Sequence, residues 1–224
     1  MEILSSVNRR QFLSGLFSIT AAGLLSRQNN AIASNQPIDH SARMNMLISV
    51  LQEHHTRHDG VLHDEQKTNL IYAFEKIKPT NHLEETIVVA CAMSMQSVYN
   101  IVDEYVRRRK GEAPRLPAHS AMLLKGWGVP DTYGILLFRE QISALLAEVT
   151  GASLGYGKEL CLEMTMGCIN TRDFRSELAE EYREFNGDQI MAVYDAVLFY
   201  APAARPYVWC SAMVSRADAL VMAL

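Results

Sequence analysis

No uninterrupted apolar run in this chain is long enough to span a bilayer as a helix, which takes about 18 or more residues. The nearest candidate, Phe12 to Leu25, is shorter and is spotted with Ser14, Gly15, Ser18, Thr20 and Gly23. Basic charge is in the minority, with 21 Lys and Arg against 25 Asp and Glu. No basic patch dominates apart from the run Arg107 to Lys110, so nucleic acid is not an expected partner. The 4 cysteines form neither C-x-x-C nor C-x-x-C-H. That argues against covalent haem attachment and a ribbon-type zinc site. A G-x-G-x-x-G after a strand, a Walker lysine pattern and a G-x-S-x-G are all missing. The chain therefore lacks the local signatures of dinucleotide binding, phosphate cradling and a hydrolase nucleophile elbow. Neither an internal repeat nor a series of alternating strands is visible.

What is present begins with "VNRRQFLSGLFSITAAGLLSRQNNAIAS". A basic start, a short apolar middle and the small-x-small end Ala31-Ile32-Ala33 are the parts of a secretory leader, with cleavage expected before Ser34. "NRRQFLS" resembles the twin-arginine export motif, Ser/Thr-Arg-Arg-x-Phe-Leu-Lys. Arg9, Arg10, Phe12 and Leu13 match it, and Asn8 and Ser14 depart from it. Weak hydrophobicity and the basic Arg27 near the cleavage site fit the same route. The resemblance implies that residues 1–33 are a receptor-read address and that the twin-arginine (Tat) translocon is a transient partner. Residues 34–224 would then reach the periplasm already folded. The other reading is an amphipathic first helix or an uncleaved anchor.

The remainder, 34–224, is long enough to bury its own core as one domain. Its pattern is helical nearly throughout, and the expected architecture is all-α, an irregular bundle of about six to eight helices. Met44, Leu47, Leu51 and His54 or His55 share one face of a first helix, which breaks at Gly60. A second covers His63 to Lys78 and stops before Pro79. Asn81 caps a third, the longest, read from Leu83 to Lys110, with Glu84 and Glu85 in its first turn. Arg107 to Lys110 supply the charge that suits a helix C-terminus. "GEAPRLPAHS" and "KGWGVPDTYG" read as loops, Asp131 to Val149 as a helix, and "TGASLGYGKE" as a connection. Helices follow over Lys158 to Cys168, Asp173 to Phe185 and Asp188 to Tyr200. The tail after Pro206 is ambiguous between helix and extended chain.

An exported chain meets an oxidising compartment, so disulfides are allowed. On a straight helix Cys161 and Cys168 lie two turns apart, about 10 Å, too far to bond. A break at Gly167 would let them meet. Buried apolar thiols are the other reading.

The densest polar cluster is "EHHTRHDGVLHDE". His54 and His58 are i, i+4 on a helix and can reach one transition-metal ion, with Glu85 a possible third ligand. His55 stands where H-E-x-x-H has its glutamate, and a solvated helix end explains the same residues without metal. The neighbouring carboxylates Asp103 with Glu104, and Glu180 with Glu181, read as surface charges. "AVYDAVLFYAPAARPYVW" gathers aromatic residues near the end. Tyr200, Tyr207 and Trp209 suit either a partner surface or the domain's own core.

Twin-arginine export commonly serves proteins that hold a cofactor, yet no cofactor motif is evident here. "LIYAFEK" and "VYDAVLFYAP" followed by "YVW" resemble the small subunits of bacterial membrane-bound sugar and polyol dehydrogenases. That family has such leaders, short helical bodies and no flavin or haem. The resemblance implies a non-catalytic accessory subunit that travels with a larger, cofactor-bearing redox subunit. A periplasmic metal-binding protein or metalloenzyme is the alternative.

Overall fold

Capping residues and buried stripes decide where the helices start and turn. The computed structural model describes residues 39–57, 60, 62–94, 98–115, 129–166 and 187–222. The leader residues Arg9, Arg10, Phe12, Leu13, Ala31 and Ala33 lie outside that set. So do His58, Cys168, Glu180, Glu181 and the helix expected over Asp173 to Phe185.

The described residues are all-α and form eight helices: α1 (His40–Arg57), α2 (Asp64–Ile77), α3 (His82–Ala92), α4 (Val98–Arg109), α5 (Arg139–Thr150), α6 (Leu154–Met166), α7 (Gly187–Tyr200) and α8 (Tyr207–Met222). Among them no helix is long and apolar enough to cross a membrane. The expected first and second helices appear as α1 and α2. The ambiguous tail is helical, as α8.

α3 is the centre. Every residue from Glu84 to Ala92 is buried, with α2 and α8 both packed against it. Leu70, Phe74 and Ile77 of α2, Ile101, Val102 and Tyr105 of α4, and Cys210, Val214 and Ala217 of α8 join its Ile87, Val88 and Cys91 in one apolar core. Its start is fixed by chain chemistry. Lys78 adopts a left-handed turn (φ 50°) and donates its N–H to Phe74 O at 2.9 Å, closing α2. Asn81 Oδ1 then accepts from Glu84 N at 3.0 Å, while Thr80 N and Oγ1 donate to Glu84 Oε2 at 2.8 and 2.9 Å. Three donors near a helix start are thereby satisfied.

The single long helix expected from Leu83 to Lys110 is two helices, α3 and α4. α3 closes at Met93, whose N–H reaches Val89 O at 3.1 Å, and Ser94 N turns back to Cys91 O at 3.2 Å. A straight continuation would carry Ile101, Val102 and Tyr105 away from the core; the break returns α4 to α2. The apolar period is the same on both sides, and neither Gly nor Pro marks the junction.

A second correction falls at Asp131. The helix expected there begins at Arg139. Asp131 Oδ1 accepts from Tyr133 N at 2.9 Å, and Tyr133 and Gly134 both have positive φ (56° and 77°). This turn feeds a buried, non-helical stretch, Ile135 to Phe138, in which Leu137 N turns back to Ile135 O at 3.1 Å and only Phe138 is shown extended. It pairs with the segment before α8 in a parallel bridge: Arg205 N donates to Leu137 O at 3.0 Å and Arg139 N to Arg205 O at 3.1 Å. Burial of four apolar side chains in a row outweighs the helical period.

α6 starts at Leu154, inside the stretch read as a connection, because Gly151 alone (φ 61°) closes α5. Gly157 lets the two helices touch. A Cβ there would stand 2.1 Å from Ser143 O and 3.1 Å from Ala147 N, both backbone atoms of α5. Gly157→Ala should therefore force the helices apart and destabilise by about 1–3 kcal/mol, as overpacking does. Gly155→Ala, whose Cβ meets only Ser153 Oγ at 3.5 Å, should be neutral or stabilising by up to about 1 kcal/mol. Urea unfolding of both variants checks the contrast; equal midpoints would refute the close contact.

Candidate functional site

The polar chemistry of the core collects where α1, α3 and α8 meet. Arg43 sits in the first turn of α1, 5% exposed. Its Nε donates to Glu85 Oε1 at 2.7 Å and its Nη2 to Glu85 Oε2 at 2.6 Å, a two-pronged ion pair. Nη2 also reaches Asp218 Oδ1 of α8 at 2.5 Å. Burial works against the Arg43 charge, but Glu85 and then Asp218 outweigh it and hold the guanidinium above its usual range. One helix turn from Glu85, His82 Nε2 shares a 2.8 Å hydrogen bond with Ser211 Oγ. His82 Nδ1 faces Asp218 Oδ2 at 3.6 Å.

Serine, histidine and aspartate thus stand in the order nucleophile, base, orienter. Acyl transfer also needs free N–H donors aimed at an oxyanion. Ser211 lies inside α8, where the backbone N–H groups past the first turn belong to the helix ladder. Ser211 is 7% exposed, and Asp218 is shared with Arg43. The group is a polar clasp that seats α8 on α1 and α3.

Of the expected metal ligands, His54 and Glu85 stand apart, and His58 lies outside the described residues. Glu85 is taken by Arg43 near the start of α1, while His54 lies near its end, about 16 Å further along the axis. His54 Nε2 accepts from Trp209 Nε1–H at 3.2 Å, with the rings edge to face at 5.4 Å. His55 Nδ1 is within 2.8 Å of Leu51 O on its own helix. Among the described residues no group of three His, Cys, Asp or Glu could hold a metal ion.

Cys91, Cys161 and Cys210 are buried thiols. Cys161 donates to Arg139 O at 3.7 Å, and burial pushes Cys91 up to about 12. Of the aromatic residues weighed for a partner surface, Tyr200 is fully buried and belongs to the core. Burial raises its hydroxyl to about 12 despite a hydrogen bond with Arg108. Tyr207 and Trp209 are half-buried in the first turn of α8, and Val208 between them is 72% exposed. Tyr207 leans edge-on against Phe138 at 5.0 Å.

The basic run after α4 has more specific work than a general preference for a helix end. Arg108 Nε donates to Glu104 Oε1 at 2.7 Å, and both side chains are 3% exposed. Glu104 is thus a buried acid and not the surface charge its exposed neighbour Asp103 is; it also accepts from Arg115 N at 2.7 Å. Arg109 donates to Glu84 Oε1 at 2.9 Å and to Ile77 O at 2.8 Å, tying α4 to α3 and to the end of α2. Arg107 reaches Glu112 at 3.0 Å. Sequence reasoning missed Arg43, Ser211 and Asp218. Arg43 and Asp218 are 175 positions apart, and no local pattern marks the pairing.

No family model matches the chain, and no curated protein is significantly similar to it.

Removing one partner of a buried pair strands the other charge. Arg43→Ala should cost about 3–5 kcal/mol, while Arg43→Met combined with Glu85→Leu should recover most of it. Chemical denaturation measures both; a mild single-variant effect would sink the role assigned to the pair. Glu84 gives a pH test. Burial raises its carboxyl, but the Thr80 and Arg109 hydrogen bonds prevail and hold it below the usual glutamate range. Its stabilisation is therefore present above the ordinary carboxylate pKa and is lost as pH falls through the lowered folded value. Thermal melts of Glu84→Gln should fall off less steeply on acidification than those of the wild type.

Proposed function

We propose that the protein is an exported accessory subunit that binds a larger, cofactor-bearing redox subunit in the periplasm. The observation that carries this reading is the first turn of α8, where Val208, 72% exposed, stands between half-buried Tyr207 and Trp209. Tyrosine and tryptophan with an exposed apolar neighbour are the composition of an interface centre. The same turn belongs to the "YVW" of the subunit resemblance. The twin-arginine leader supports the cellular side, since that route carries folded cargo.

The test is purification of the tagged full chain from the cells that make it. A larger polypeptide carrying flavin or haem is expected in stoichiometric amount; isolation as a lone monomer defeats the reading. Val208→Asp should abolish the association while changing folding stability by no more than about 0.5 kcal/mol, because the side chain it replaces faces solvent.

A further inference from the structure

Beside that turn two guanidinium groups converge on one acceptor. Arg139 Nε donates to Ala204 O at 3.4 Å and Arg205 Nη1 donates to the same oxygen at 3.3 Å. Arg205 Nε also closes the end of α3 by donating to Met93 O at 2.8 Å. No carboxylate among the described residues makes an ion pair with either arginine. The adjacent acid, Glu140, is engaged with Tyr207 N at 2.8 Å. The other arginines of this core, Arg43, Arg108 and Arg109, each have a carboxylate. Burial, and then Arg139, depress the Arg205 guanidinium below its usual range. Among the described residues the two cations thus meet two carbonyl dipoles, Ala204 O and Met93 O, and no full negative charge, which a carboxylate would supply.

We infer that Arg139 and Arg205 receive an aspartate or glutamate side chain of the larger subunit, next to the Val208 contact. The inference rests on the accessory-subunit reading and adds the chemistry of the partner's side. Both arginines are half-buried, with part of their water already removed; the bonds to Ala204 O and Met93 O take Arg139 Nε and Arg205 Nε and Nη1, which leaves the Nη pair of Arg139 as the fork and Arg205 Nη2 beside it. A carboxylate suits that fork through two parallel hydrogen bonds. Arg205 and Val208 are three residues apart in the chain, on either side of the start of α8.

Carbodiimide coupling tests the pairing directly. In the complex purified with full-length Arg139→Lys, the new amine should form a zero-length link to an aspartate or glutamate of the larger subunit, mapped by mass spectrometry. Arg139→Glu should weaken the complex by at least about tenfold, and added salt should weaken the wild-type complex more than that variant's. Arg205→Gln, whose fold is checked by circular dichroism because Arg205 also closes α3, should act in the same direction. A complex that forms with unchanged affinity in Arg139→Glu overturns the inference and leaves the accessory role intact. A link to carboxylates of a second copy of this chain overturns it in favour of self-association. A melting temperature that rises in phosphate over chloride at equal ionic strength, only when both arginines are present and without charge-dependent capture, assigns the pair to a free anion and overturns it. No complex under any condition overturns both readings.

Discussion

The structure depends on burying α3 from Glu84 to Ala92 without leaving its ends unpaired. A helix enclosed on every side loses water at termini that carry unsatisfied N–H and C=O groups and opposite partial charges. At the start, Glu84 and Glu85 put negative charge against the positive end. Two buried carboxylates side by side are tolerable only if each meets a cation. Arg109 of α4 serves Glu84, and Arg43 of α1 serves Glu85. At the other end Arg205 donates to Met93 O. Three arginines from distant parts of the chain are thus fixed by the needs of one helix.

Those needs account for much of the surrounding topology. Arg109 can reach Glu84 only if the chain reverses after α3, so the break near Met93 follows from the pair as well as from the apolar core. Arg205 can close α3 only if the segment before α8 passes its C-terminal end. The bridge between Phe138 and Arg205 holds that segment in place. α8 then runs back along α3, and His82 with Ser211 and Arg43 with Asp218 fasten it at the far end.

The local features of the sequence were readable because they are short-range. Asn81 as a cap, Pro79 as a stop and the stripe of α2 each involve neighbours within a turn or two. The all-α class follows from the same periodicity. Breaks without glycine or proline were hidden, since Cys91 and Ile101 carry one apolar period across the α3–α4 junction. The non-helical run Ile135 to Phe138 was hidden because the partner of Phe138, Arg205, is remote in sequence. Glu85 shows the limit for the site. By residue type it suits a metal, and its actual partner, Arg43, is 42 positions away and of a type that periodicity does not flag.

The same reasoning bears on where function can sit. Along α8 three polar groups tie the helix to its neighbours: Ser211 meets His82, Asp218 meets Arg43, and Trp209 meets His54. The beginning of α8 differs in kind. Val208 is 72% exposed, and among the described residues Arg139 and Arg205 share a carbonyl oxygen where Arg43, Arg108 and Arg109 have carboxylates. Two guanidinium groups that meet only carbonyl oxygens among the described residues would gain from a negative partner. Arg205 and Val208 flank the start of α8, and Arg139 begins α5 across the bridge from Arg205. That coincidence is what supports the proposed partner surface at the turn from Ala204 to Trp209.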